Sequence, residues 1–221
     1  MTRKRSATAS RILEAGREAF NRKGYAATSV TEIAESLGIS QGNLTYHFAT
    51  KRDLAMAIEE DVLQLVKDRR AMLVKGSVAQ DYIEHLLFAM KLTWRFRFVM
   101  RDRLHYAGSP PGSREQSELR ADFRELVELL RRIEREGLFL KETAPPIDTL
   151  ARSLWIVSRY WIDHLEELDG QEVVSWADQS RGIEHHLSVL LPCLRASARK
   201  EFEAALDAAE VTESRSLQSP R

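Results

Sequence analysis

Apolar residues recur along this chain at intervals of three and four positions, which is the period of amphipathic helices. The pattern predicts helices over residues 10–23, 29–37, 40–48, 50–75, 115–136, 147–168 and 171–203. Gly24 is expected to stop the first of these helices, and Thr50 with Asp53 to cap the fourth. Residues 80–106 form an additional, strongly aromatic segment. The fold class predicted from the pattern is therefore all-α.

The two short helices between Ser29 and Phe48 are joined by a tight turn, and their boundaries are marked by local signals. Ser29 with Glu32 is a capping-box start. Gly38 can adopt the left-handed conformation that ends the first helix, and Ser40 can cap the second. Spacing alone fits a helix-turn-helix and an ordinary helical corner equally well.

The second of these helices has one apolar face and one polar face. Leu44 and Phe48 lie four residues apart and are predicted to face inward. The remaining surface carries small or hydrogen-bonding side chains suited to a groove, namely Gln41, Asn43, Thr45, Tyr46 and His47.

Charge separates the two ends of the chain and favours the helix-turn-helix. The whole chain of 221 residues is neutral, but its first 52 residues hold nine Lys and Arg against four Glu. That part carries +5 and the remainder −5. A basic N-terminal part followed by an acidic remainder suits a protein that binds phosphate at one end.

A wider set of residues carries a family resemblance. It comprises Phe20, Gly24, Thr28, Ile33-Ala34, Gly38-Ile39-Ser40, Gly42-Asn43-Leu44, Tyr46-His47-Phe48 and Lys51-Arg52-Asp53-Leu54. This run, from Arg11 to Leu54, resembles the DNA-binding domain of the TetR family of bacterial transcriptional regulators. The rest of the chain resembles the family only in length, helical character and composition. Thr45 departs from the pattern, because the family usually carries there a Tyr that contacts the DNA backbone.

The resemblance implies roles for particular residues. Base-edge or groove contacts are expected from Gln41, Asn43, Thr45 and Tyr46, and phosphate contacts from Thr28, Tyr46, His47 and Lys51. Lys51 also lies in the first turn of the next predicted helix, where the helix dipole favours an anion.

The domain organisation expected from the sequence has four parts. Residues 1–9 form a flexible basic arm, and residues 10–52 form a three-helix DNA-binding domain. Residues 53–203 form a larger helical domain for effector binding and dimerisation. Residues 204–221 are expected to be a disordered tail, and Pro192 is expected to kink or unwind the last helix.

Two sets of residues are candidates for the larger domain's functions. Side chains with apolar bodies and polar handles could line a pocket for an apolar or aromatic effector, and the candidates are Trp94, Phe98, His105, Tyr106, Trp155 and Tyr160. Each of them is as consistent with an ordinary core position. By the resemblance, the last two long helices form a dimer interface, with the candidates Trp161, Leu165, Ile183, Leu187, Leu190 and Leu194.

The sequence offers no signal for an enzyme, a cofactor or a membrane span. It lacks a glycine-rich phosphate loop, a nucleophile elbow and a zinc-protease motif. His185 and His186 are adjacent on a helix and point about 100° apart, so they are not expected to share a metal ion. With one cysteine, Cys193, no intrachain disulfide is possible. A cytoplasmic location is expected, because neither a secretory signal nor a transmembrane stretch is recognisable.

The function expected from these observations is that of a homodimeric regulator that binds double-stranded DNA, most simply a ligand-responsive repressor at a near-palindromic operator. Two alternatives stay open. One is a transcriptional activator of the same fold, which has the same sequence signature. The other is a helical ligand-binding or scaffold protein that does not bind DNA.

Overall fold

The computed structural model of the chain describes residues 5–72, 76–108, 113–140, 142–171 and 173–218. Within these ranges the regular secondary structure is helical, apart from an isolated β-bridge between Phe139 and Leu194. The α-helices are α1 (Ala7–Ala27), α2 (Val30–Ser36), α3 (Gln41–His47), α4 (Lys51–Met72), α5 (Val78–Arg95), α6 (Arg97–Arg101), α7 (Arg103–Ala107), α8 (Ser113–Arg135), α9 (Ile147–Glu167), α10 (Trp176–Leu190) and α11 (Ala196–Gln218). The predicted all-α fold class is confirmed.

The local signals around α2 and α3 act as their sequence predicts. Gly38 has a φ of 66°, the left-handed conformation that ends α2. Ser40 Oγ accepts a hydrogen bond from the backbone N–H of Asn43 at 3.2 Å and caps α3. At α4, the N–H of Thr50 donates to Asp53 Oδ2 at 3.0 Å and the N–H of Asp53 donates to Thr50 Oγ1 at 3.1 Å. The predicted cap at Thr50 is therefore reciprocal.

The chain divides into two compact units, and the division differs from the predicted domains. The first unit falls within Met1–Ala71 and Arg95–Gln116, and the second within Met72–Trp94 and Ser117–Arg221. The unit that holds α2 and α3 thus extends through most of α4 and also takes in α6 and α7. The prediction placed the domain boundary after residue 52 on the basis of the family resemblance. It did not include residues 95–116 in the first unit.

Packing around α1 explains why α6 and α7 belong to the first unit. The ring of Phe98 in α6 lies 5.0 Å from the ring of Phe20 in α1, and 5.9 Å from that of Tyr106 in α7. Asn21 fastens the same segment by two hydrogen bonds. Its Nδ2 donates to the carbonyl of Arg95 at 2.7 Å, and its Oδ1 accepts from the N–H of Phe98 at 3.1 Å. A buried amide with both ends satisfied fixes the position of the chain there.

The second unit has a core of its own, built from the apolar faces of α5, α8, α9, α10 and the start of α11. Its largest fully buried side chains include Tyr82, Ile83, Leu86, Met90 and Phe202. The segments on either side of the β-bridge exchange two backbone hydrogen bonds, from Leu140 N–H to the Cys193 carbonyl and from Arg195 N–H to the Leu138 carbonyl, each 2.8 Å long.

The C-terminal part of the chain agrees with one prediction and differs from another. Pro192 lies in a 3-10 helix, Leu191–Cys193, after which the chain is extended at Leu194, so the predicted local unwinding is confirmed. The predicted disordered tail is wrong for residues 204–218, which continue α11. Leu206 is half-buried against the core there. The last three residues lie outside the described ranges.

The predicted flexible arm is also shorter than expected. α1 begins at Ala7, and Ser6 caps it by accepting a hydrogen bond from the N–H of Ala9 at 3.2 Å. Arg5 forms an ion pair with Asp61 of α4 instead of extending freely. The basic residues Arg3 and Lys4 lie outside the described ranges.

Candidate DNA-binding surface

α3 is anchored by one buried residue and presents the rest of its surface outward. Leu44 is fully buried, whereas Gln41, Gly42 and Asn43 are exposed. The side chain of Tyr46 is 86% exposed, although large aromatic residues normally bury most of their area. A Tyr on the open face of a capped helix is available for contact with a partner surface.

Two of the other candidates on α3 already use part of their hydrogen-bonding capacity. Thr45 Oγ1 donates within its own helix, to the carbonyls of Gln41 at 3.1 Å and Gly42 at 3.2 Å. Gln41 Oε1 accepts from Thr31 Oγ1 at 3.0 Å, so its amide group keeps its N–H donors for another partner. The ring of His47 is half-buried and meets the edge of the Tyr46 ring at 5.3 Å.

Thr28 lies inside the unit, which alters the role expected for its side chain. It is only 2% exposed, and its hydroxyl donates to the carbonyls of Gly24 at 2.8 Å and Ala19 at 3.3 Å. A hydroxyl has one proton to donate. The side chain therefore closes the end of α1 in this conformation, and a phosphate contact through its hydroxyl is not supported.

Lys51 is held from three sides at the start of α4. Its ammonium donates to the carbonyls of Tyr25 at 2.9 Å, Ala26 at 3.3 Å and Thr28 at 2.9 Å. It also lies 4.4 Å from the centre of the Tyr25 ring, a cation–π contact. An ammonium group has three N–H donors, and these carbonyls occupy all of them. Lys51 thus joins the end of α1 to the start of α4. Its positive charge can attract a nearby phosphate, but none of its N–H groups is left to donate to one.

The end of α1 is fixed from a second direction by Asp102, which lies between α6 and α7. Gly24 has a φ of 80° and interrupts the helix, as its predicted role as a stop requires. The N–H of Tyr25, freed by this interruption, donates to Asp102 Oδ2 at 2.7 Å. Asn21 and Asp102 were not predicted as contributors, because neither belongs to a local motif and the contacts join residues more than 70 positions apart.

The six predicted pocket residues do not form one pocket within either unit. Phe98 and Tyr106 belong to the core of the first unit, and burial next to Glu59 raises the pKa of the Tyr106 hydroxyl. His105 is exposed at the surface of that unit, where Nδ1 lies 3.8 Å from Asp102 Oδ1. A groove of about 300 Å³ in the first unit has none of the six in its lining, which includes Arg5, Arg17 and Asp61.

The other three pocket candidates belong to the second unit. The ring of Trp94 lies 6.2 Å from that of Trp176, and Trp155 meets the edge of the Phe123 ring at 5.6 Å. Tyr160 is 53% exposed and marks a kink in α9. The six candidates are thus divided between the two units, three in each, and their shared pocket stays a prediction.

The predicted dimer interface also needs correction. Five of the six candidates are buried inside the second unit itself, namely Leu165, Ile183, Leu187, Leu190 and Leu194. The sixth, Trp161, is half-buried, and its Nε1 donates to the carbonyl of Asp178 at 2.9 Å. Buried core residues are not available to a second copy. The exposed apolar residues of α9 are instead Ile156 and Tyr160, four positions apart.

Comparison with known proteins agrees with the geometry of the first unit. Residues 12–58 match a family model described as bacterial regulatory proteins, tetR family, and residues 58–202 match a model described as bacterial transcriptional repressor. The two models together span most of the chain. The chain belongs to the TetR family. It is therefore a DNA-binding transcriptional regulator and not an enzyme.

The chain also resembles individual regulators, at low sequence identity. The chain is 31% identical over 85 residues to the HTH-type transcriptional regulator TtgR of Pseudomonas putida, which is 38% of this chain and 39% of that protein. It is 24% identical over 201 residues to the uncharacterised regulator YvkB of Bacillus subtilis, covering 86% and 98% of the two chains.

Among solved structures, a TetR-family regulator from Marinobacter aquaeolei shares the fold. Its TM-score is 0.72 at 23% identity, and the alignment covers 92% of this chain and 98% of that one. A transcriptional regulator from Saccharomonospora viridis, solved in complex with choline, aligns with a TM-score of 0.63 at 18% identity, over 83% and 97% of the chains. Among the described helices of the present chain, none has the length and apolar character needed to cross a membrane.

Proposed function

We propose that this TetR-family regulator acts as a ligand-responsive repressor that binds a near-palindromic operator as a homodimer. The observation that carries the proposal is α3, a capped helix held by the buried Leu44 that exposes Tyr46 and Asn43 after a left-handed turn at Gly38. Such a helix fits a major groove, and a dimer would place two of them about 34 Å apart on one face of the duplex.

The proposal assigns base or groove contacts to Gln41, Asn43, Thr45 and Tyr46. It also assigns phosphate contacts to Tyr46 and His47, at the end of α3. Thr45 stands where the family usually carries Tyr, and its hydroxyl proton is used within α3. The neighbouring Tyr46 supplies the exposed phenol of this helix.

The effector is proposed to act by differential affinity for two packings of the dimer. In one of these packings the two α3 helices no longer match the spacing of the operator half-sites. A ligand that binds more tightly to that packing releases the operator. The activator alternative shares every structural feature described, and the position of the operator relative to the promoter distinguishes the two.

The proposal is tested by fluorescence-anisotropy titration of the purified chain against duplexes tiling the DNA around its own gene, at two salt concentrations. We expect one near-palindromic tile to bind far more tightly than the others, with a strong dependence on salt. Equal, weak binding to every tile would contradict the proposal. Repeating the titration after denaturation and refolding tests whether a copurified ligand had held the protein off the DNA.

Replacing Tyr46 with alanine is expected to weaken operator binding about tenfold or more, because a groove contact of this kind contributes about 1–3 kcal/mol. Stability should change by less than about 0.5 kcal/mol, since the side chain is exposed in the free protein. The matched control is Tyr46→Phe, which keeps the ring and removes the hydroxyl. Unchanged affinity in Tyr46→Ala would remove this residue from the interface.

Replacing Lys51 with alanine is expected to weaken operator binding severalfold while the salt dependence changes little. The ammonium holds three carbonyls at the end of α1, so its loss loosens the unit that presents α3. A direct phosphate contact would instead lower the slope of log affinity against log salt by about 0.9. Lys51→Arg serves as the control, because it keeps the charge but not the compact three-donor geometry.

The dimer is proposed to form through the exposed face of α9 around Ile156 and Tyr160, together with the exposed face of α10. We expect Ile156→Arg to convert the dimer into a monomer, because it places a charge in the middle of an apolar contact. Mass is measured by light scattering after size exclusion. The control Leu104→Arg changes an exposed apolar residue of the first unit and should leave the mass unchanged. A wild-type monomer, or a dimeric Ile156→Arg variant, would contradict this interface.

A further inference from the structure

A histidine and two carboxylates from two helices meet in the second unit. His85 lies on α5, and Asp122 and Glu125 lie three positions apart on α8, so both carboxylates share one face of that helix. One potential ligand atom from each side chain lies within 4.8 Å of the other two. His85 Nδ1 is 3.2 Å from Glu125 Oε1. This arrangement played no part in the sequence-based predictions, because residues 85 and 122 share no motif.

We propose that His85, Asp122 and Glu125 form a binding site for a divalent transition-metal ion of the Zn²⁺ type. A mixed set of imidazole nitrogen and carboxylate oxygen suits Zn²⁺ and its neighbours better than Mg²⁺ or Ca²⁺, which prefer oxygen alone. Metal–ligand distances of about 2.0–2.2 Å require the three atoms to draw together by roughly an ångström, within the reach of side-chain rotation. Three protein ligands leave one position for water or an effector atom.

Burial separates this cluster from the acidic groups common on protein surfaces. His85 is only 5% exposed, and the side chain of Glu125 is 15% exposed. Facing helices of a bundle that each contribute inward side chains are a recurrent scaffold for metal sites. A buried imidazole must also be held neutral or paired, and a metal ion bound at Nδ1 keeps it unprotonated.

The electrostatic surroundings of the cluster include an arginine. Arg159 of α9 is half-buried and interacts with Asp122; desolvation lowers the pKa of its guanidinium, and Asp122 is among the groups that oppose that shift. The two carboxylates of the cluster supply negative charge for a cation, and Arg159 is shared between Asp122 and Asp163. Binding would couple α5 to α8, and the site does not depend on the proposed repressor function.

The test is a direct titration of the full-length chain, stripped with a chelator, with Zn²⁺ in competition with a chromophoric zinc indicator. We expect one ion per chain, and binding at least about tenfold weaker in His85→Gln and in Glu125→Gln, because even groups outside the ligand shell change affinity 10- to 100-fold. The matched control is His185→Ala, an exposed histidine stacked near Trp161, which should bind Zn²⁺ like the wild type.

Three results would overturn the proposal. The first is the absence of stoichiometric Zn²⁺ binding by the wild type, the second is undiminished binding by His85→Gln, and the third is a thiolate signal from bound Co²⁺. Because a core variant can misfold, the wild type is also loaded with Co²⁺, whose visible ligand-field spectrum should show nitrogen and oxygen ligation and no thiolate charge-transfer band. A thiolate band would place the ion at Cys193 and reject the site. Failure of the DNA-binding proposal would leave these readouts unchanged, so the two proposals fail separately.

Discussion

Replacing Arg103 with alanine is expected to lower the free energy of unfolding of the first unit by about 3–5 kcal/mol. Arg103 Nε donates to Glu59 Oε1 at 2.7 Å, and Tyr106 donates its hydroxyl to Oε2 of the same carboxylate at 3.2 Å. The side chains of Arg103 and Glu59 are 14% and 7% exposed, so solvent screens this pair little. Without the guanidinium, the Glu59 carboxylate stays buried with its charge uncompensated.

Urea unfolding gives the stability change, provided that the dependence of the unfolding free energy on urea concentration is the same in both proteins. A double variant identifies the cause of the change. In Glu59→Gln/Arg103→Ala the carboxylate charge is also removed, so we expect the double variant to be more stable than Arg103→Ala alone. Equal stability of the two variants would mean that Arg103 contributes through packing of its aliphatic part and not by neutralising Glu59.

The elements that the sequence predicted correctly are those that depend on near neighbours. The stop at Gly24, the left-handed turn at Gly38 and the caps at Ser40 and Thr50 all involve residues within about four positions of one another. The unwinding at Pro192 follows from the absence of its own N–H. Such interactions can be predicted from a short window because the geometry is set within one or two turns.

The elements that were predicted wrongly depend on which surface an apolar stripe meets. The stripe of α10 contains Ile183 and Leu187, and nothing local distinguishes packing inside one unit from packing against a second copy. The contact of Phe98 with Phe20 joins residues 78 positions apart, and the segment around it brings three of the pocket candidates into the first unit. The polar residues after Ala204 suggested disorder, although their intrinsic helix propensity is high and α11 includes them.

The candidate DNA-binding site was predictable in its residues but not in their hydrogen bonding. Tyr46 and Asn43 lie on the open face of α3, as expected from the position of Leu44. The sequence could not show that the hydroxyl of Thr28 and the ammonium of Lys51 are spent on backbone carbonyls. Most of those carbonyls lie at the C-terminal end of α1, where a helix leaves its last carbonyls without intrahelical donors, and only the folded chain shows which side chains bind them.

Acid is expected to destabilise the second unit through His186, which lies at the centre of a buried polar chain. His186 Nε2 is 2.7 Å from the hydroxyl of Tyr82, and Nδ1 is 2.7 Å from that of Ser158. One nitrogen of a neutral imidazole donates and the other accepts, so both bonds form without a charge. Burial, together with a smaller electrostatic contribution from His85, lowers the pKa of His186 from 6.5 to about 3.

The sign of the effect follows from proton uptake by the two states. The unfolded chain protonates this histidine near pH 6.5, whereas the folded chain resists protonation until about pH 3. Between these values the unfolded state binds more protons, so the stabilising contribution is complete above pH 6.5 and decreases as the pH falls. Over the two units from pH 6.5 to 4.5, the free energy of unfolding should fall by about 2 kcal/mol from this group.

The measurement compares urea unfolding of the wild type and of His186→Gln at pH 6.5 and 4.5. Glutamine can donate to one neighbour and accept from the other, but it does not titrate. The other titratable groups are common to both proteins, so the difference between the two slopes isolates His186. Parallel slopes would show that the imidazole takes up its proton equally in the folded and unfolded states, with the Tyr82 and Ser158 hydroxyls turned so that both oxygens accept from His⁺.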